Sequence, residues 1–68
     1  MNKWVLYSKI QSDNYSTKIE GEWNYKPSID EITKITHDPQ MSIALVRGSG
    51  VTRGVVFYFL EDPFEGNL

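Results

Sequence analysis

The stretch MSIALVRGSGVTRGVVFYFLE, residues 41–61, decides how this chain is to be read. Two apolar runs flank RGSGVTRG (residues 47–54), which holds three glycines, a serine, a threonine and an arginine near each end. Glycine supplies positive φ and short hydroxylated side chains bond their own backbone, so such a segment between apolar runs reads as a hairpin loop. On that reading residues 41–47 form one strand and residues 54–61 the next. Both strands carry apolar side chains on both sides. Val55, Phe57 and Phe59 oppose Val56, Tyr58 and Leu60, while Ile43 and Leu45 oppose Ala44 and Val46.

Working outward, KWVLYSKIQ (residues 3–11) is rich in aromatic and branched residues and reads as a strand, with Trp4 and Leu6 against Val5 and Tyr7. Ser12, Asp13 and Asn14 supply turn chemistry. In residues 15–25, Ile19, Gly21, Trp23 and Tyr25 alternate with Lys18, Glu20, Glu22 and Asn24, which predicts a strand with one wet face, suited to a sheet edge. One helix is expected, at residues 28–37. Ser28 followed three residues later by Glu31 forms a capping box, Asp30 and Glu31 suit the first turn, and Ile29, Ile32 and Ile35 make an apolar stripe. Asp38 before Pro39 is biased away from helical geometry and should end it near His37. The expected fold is a single α+β domain over residues 1–68. It is ββαββ, with a four-stranded antiparallel sheet in the order 2-1-4-3 and one short helix.

The two turns of such a helix rise about 12 Å, enough for part of one face of the sheet and not for two. A second greasy face would exceed what a monomer usually exposes. A chain of 68 residues also buries little surface by itself. Both arguments predict self-association, most simply a twofold homodimer. The competing arrangement covers that face with the chain's own ends, Phe64 included.

Composition narrows the function. With no cysteine there are no disulfides or thiolate metal sites, and with His37 as the single histidine no histidine zinc site is expected. The longest apolar run, VVFYFL, is too short to span a bilayer, and MNKWVLYSK lacks the pattern of a secretory signal, so a cytoplasmic setting is expected. A net charge of −2 has the wrong sign for binding duplex nucleic acid. RGVVFYF (residues 53–59) superficially resembles the first signature of RNA-recognition domains, but Val55 stands where an aromatic should stack on a base. His37 and Asp38 adjoin at a helix end and have no third partner in sequence, so no catalytic residue, cofactor or enzyme activity is expected.

Two candidate sites remain. Arg47, Gly48, Ser49, Gly50, Thr52 and Arg53 have the composition of an anion cradle, with backbone N–H groups, hydroxyls and two guanidinium groups; a dimer would bring four arginines to a nucleotide. Trp23, Tyr25 and Tyr58 are the aromatic anchors that a protein interface prefers. In size and in its Lys, Asn and Ile content the chain resembles small bacteriophage accessory proteins. That resemblance implies a non-enzymatic inhibitor that occupies a host defence protein. The alternatives are a sponge for a phosphorylated signalling nucleotide and a structural assembly subunit.

Overall fold

The computed structural model describes residues 3–11, 14 and 16–63. Its elements are β1 (Trp4–Ile10), β2 (Ser16–Trp23), α1 (Ile29–Thr36), α2 (Pro39–Val46), β3 (Val51–Arg53) and β4 (Val56–Glu61). The four strands form one antiparallel sheet in the order β2-β1-β4-β3. This is the expected α+β class and strand order, with β2 at an edge. Phe64 lies outside the described residues, as do Ser12, Asp13 and Tyr15; Asn14, within the expected turn, takes a left-handed φ of 54°.

α1 forms as its caps dictate. Ser28 Oγ accepts from the Glu31 backbone N–H at 3.2 Å, and Glu31 Oε1 accepts from the Ser28 N–H at 3.4 Å. Those two bonds satisfy donors that a helix start leaves unpaired. His37 closes the helix in the left-handed region, its N–H donating to the Thr33 carbonyl.

The third expected strand is instead α2, and the strand that pairs with β4 is the shorter β3. Asp38 and Pro39 explain the difference. They end α1 and also start the next helix: Asp38 Oδ1 accepts from the N–H groups of Gln40 and Met41, and Pro39 occupies the first turn where no N–H is needed. Met, Ala and Leu are good helix formers, and a short apolar run alone does not distinguish strand from helix. On α2 the residues that become buried are Met41, Ser42 and Leu45, one helical face, while Ile43 is left exposed.

Both helices lie on one side of the sheet. The core joins Leu6 of β1 and Leu60 of β4, which are direct cross-strand partners, to Ile32 of α1 and Met41 and Leu45 of α2. Trp4, Trp23, Ile35, Val46, Val51 and Tyr58 pack around it. The helices are stitched by hydroxyls. Ser42 Oγ lies 2.8 Å from Thr33 Oγ1 and 3.1 Å from Thr36 Oγ1, and it donates to the Asp38 carbonyl at 3.0 Å. These buried polar groups are satisfied, as burial requires. Ser8, buried in β1, likewise donates to Glu20 Oε2 at 2.8 Å.

One irregularity matters for the other side of the sheet. Leu6 pairs with Gly21, but Tyr7 pairs with Ile19, so β2 carries a bulge there. An extra residue reverses the alternation beyond it. Gly21 and Trp23 therefore face the helices, whereas Ile19 turns to the opposite face and is 58% exposed. The expectation that Ile19 shares a side with Gly21 and Trp23 is corrected by this bulge.

Candidate functional site

Directly paired residues of neighbouring strands share a face of the sheet. Val5 pairs with Glu61, Tyr7 with Phe59 and Lys9 with Phe57, and β2 places Glu22, Ile19 and Thr17 beside Val5, Tyr7 and Lys9. β3 adds Thr52 next to Phe57. These side chains form the face turned away from the helices, and no element among the described residues covers it. The body is correspondingly thin, 31 × 26 × 16 Å.

An aromatic strip runs down the middle of this face. The Tyr7 and Phe59 rings lie 5.6 Å apart at 54°, and Phe57 and Phe59 lie 6.5 Å apart and nearly parallel at 13°. Such tilted and offset pairs attract through their ring quadrupoles as well as by burial. Lys9 Nζ stands 5.9 Å over the Tyr7 ring, a cation–π contact. At the strip's end, Lys9, Gln11, Thr52, Val55 and Phe57 line a depression of about 380 Å³. Burial, and after it the nearby Glu61 carboxylate, hold the Tyr7 phenol above its ordinary pKa. The face thus has a cation at one end, two carboxylates at the other and aromatic rings between them.

The expected anion cradle is arranged differently. Gly48, at φ 92°, and Ser49 close α2: the Gly48 N–H donates to the Leu45 carbonyl and the Ser49 N–H to the Ala44 carbonyl, each at 3.0 Å. This six-to-one and five-to-two pairing is a helix-terminating motif, and it occupies the two amides that a cradle would need. Gly50 lies under Phe57, whose ring fills the space that a Cβ there would take. Thr52 belongs to the bare face. Arg53 belongs to the helix face, where its Nη1 donates to the Thr36 carbonyl at 3.2 Å. Arg47 is exposed at the far end of α2, a helix whose eight residues rise about 12 Å. The six residues are neighbours in sequence and are not brought to one point.

The three expected anchors also separate. Trp23 and Tyr58 pack against the core on the helix side and are half-buried. Tyr25 is 59% exposed and its hydroxyl donates to Glu31 Oε2 at 2.8 Å. That bond holds the Glu31 carboxyl below its usual range and the Tyr25 phenol above its own. Asp38, beside His37, is committed to capping α2. The residues that sequence reasoning passed over are Tyr7, Lys9, Ile19, Glu22, Phe57 and Phe59. A signal for part of this set was present, since Phe57 and Phe59 alternate with Tyr58 and Tyr7 alternates with Leu6. What alternation lacks is any indication of which side the helices take.

No family model, curated protein or solved structure matches this chain.

Proposed function

We propose that this protein acts by binding another protein rather than by catalysis, and that the uncovered face of the sheet is its working surface. The observation that carries the reading is the aromatic strip Tyr7–Phe59–Phe57, bordered by Ile19 and Val5 and left uncovered by both helices. Contiguous apolar surface of this kind on a small domain marks an interaction site. Aromatic residues are the usual anchors there, because they bring large contact area at little conformational cost. An aromatic strip that runs along two neighbouring strands offers the extended contact that a protein partner uses. Occupying the surface of a larger protein is how a small inhibitor works, and this is the role that the resemblance to phage accessory proteins implies.

The test is site-specific photocrosslinking in cells, with a photoreactive residue placed at Phe57 and, as a control on the opposite side, at Lys34 of α1. Discrete adducts to a protein other than the chain itself from position 57, and none from position 34, are expected. Equal adducts at both positions, or none at 57, would remove the reading.

A further inference from the structure

The charges on the bare face are ordered. Lys9 sits at one end of the aromatic strip, and Glu22 and Glu61 flank Val5 at the other. Lys9 and Val5 are four residues apart on β1, so the two ends are separated by about 13 Å. Glu22 and Glu61 lie on the strands either side of β1, each about 4.8 Å from it. Among the described residues, Lys9 rests over the Tyr7 ring and forms no ion pair, and Glu22 and Glu61 form none either.

Resting on the docking reading above, we propose that, until a larger partner takes this face, its occupant is a second copy of the chain. The copies pack face to face about a twofold axis that runs across the strands at Tyr7. Rotation about that axis turns one end of the strip onto the other. Each Lys9 then lies over the gap between the partner copy's two acids, while Tyr7 and Phe59 meet their own counterparts in an apolar centre. A twofold interface uses the same patch on both sides, so the patch has to complement itself, and this one does. The alternative axis, along the strands, sets Lys9 on Lys9 and acid on acid, and like charges so placed are costly. Charge therefore selects the orientation and rings supply the contact. The pair is a two-sheet sandwich, the ordinary way for sheets to cover each other. It also gives a small chain the buried surface that its length otherwise denies it.

Light scattering on the full chain, eluted from a sizing column at tens of micromolar, tests the proposal. The wild type should run at twice its 7.9 kDa mass. Lys9→Glu should weaken self-association by about tenfold or more, as expected for a close interfacial charge pair. The combined Lys9→Glu, Glu22→Lys, Glu61→Lys variant should restore it, and Phe57→Asp should abolish it, all with unchanged circular dichroism. A dimer indifferent to Phe57→Asp and Lys9→Glu places the interface elsewhere and overturns the proposal. A wild-type monomer overturns it as well; if position 57 still crosslinks to a different protein, the docking reading survives alone. A monomer that dimerises on Phe64→Ala assigns the face to the chain's own end, and both readings fall.

Discussion

The two faces of this sheet come from the same strands and similar residues, yet they have different fates. On one side Leu6 and Leu60 are sealed under Ile32, Met41 and Leu45, with Leu6, Ile32 and Leu45 fully excluded from water. On the other, Tyr7, Phe59 and Phe57 stack on one another with no helix over them, and Phe57 keeps 37% of its surface exposed. An apolar strand face is thus a demand for cover, and where the helices lie decides which demand is met. The expectation of one helix understated the cover on the closed side, where two are present, and the second helix still leaves the bare side bare.

The largest effect expected from this contrast concerns leucine against isoleucine. Leu6→Ala opens a cavity between sheet and helices and should cost about 2–5 kcal/mol. That is a large part of the stability of so small a domain, at roughly 0.05–0.15 kcal/mol per residue. Ile19→Ser, on the bare face, should change the intrinsic stability of one chain by less than about 0.5 kcal/mol. Urea unfolding of both variants, followed at several protein concentrations, checks the pair. Equal losses independent of concentration would mean that the bare face is as much a core as the other.

Much of this fold is legible in sequence because local chemistry and pattern agree. Ser28 and Glu31 mark a helix start whose two reciprocal bonds form as expected, and the polar alternation of β2 places it at an edge. Legibility fails where one signal serves two elements. Asp38–Pro39 reads as the end of α1 and is equally the start of α2, so residues 41–47 read as a strand in sequence although Pro39–Val46 is a helix. The bulge at Leu6/Tyr7 is invisible without the pairing and moves Ile19 across the sheet. The placement of the loop residues was hidden for a related reason. Gly48 and Ser49 look like an anion cradle in isolation, but a preceding helix takes their N–H groups first.

Two glycines carry the contrast to the next size of effect. A Cβ on Gly21 would stand 2.7 Å from Trp23 Cη2 and 3.0 Å from Ile35 Cδ1, within the packed side. Gly21→Ala should therefore cost about 1–3 kcal/mol, the usual range for overpacking. At Gly50 the obstacle is the Phe57 ring, which has open space beyond it and can swing aside. Gly50→Ala should cost less than Gly21→Ala, and a thermal melt of each reads the difference. The reverse order would show that the Phe57 ring is held as firmly as the Trp23 indole.

The two arginines divide in the same way, with a smaller difference. Arg53 ties β3 to the last carbonyl of α1, so Arg53→Ala should lower stability by about 1 kcal/mol, the net worth of a typical hydrogen bond. Arg47, exposed past the end of α2, makes no side-chain hydrogen bond among the described residues, and Arg47→Ala should stay within about 0.5 kcal/mol. Comparable losses for both would indicate a shared role that their placement does not provide.

The smallest effect lies at the solvent-exposed start of α1, away from both faces. Glu31 accepts from the Tyr25 hydroxyl and from the Ser28 N–H and hydroxyl, and Lys34 lies near; these favour its ionised form and lower its pKa. A carboxyl whose pKa is lower folded than unfolded binds its proton less readily in the folded state. Its contribution to stability is then fully present above the ordinary value, near about 4.3. It fades as pH falls through the lowered one. Glu31→Gln should be less stable than wild type near neutrality, and the two urea midpoints should converge in acid. Tyr25→Phe removes the largest cause of the shift, so in that variant an NMR titration should find the Glu31 carboxyl moved back towards its ordinary value. If Tyr25→Phe leaves the titration where it was, the phenol is free of Glu31 in solution, and Tyr25 returns to being an exposed aromatic available to a partner.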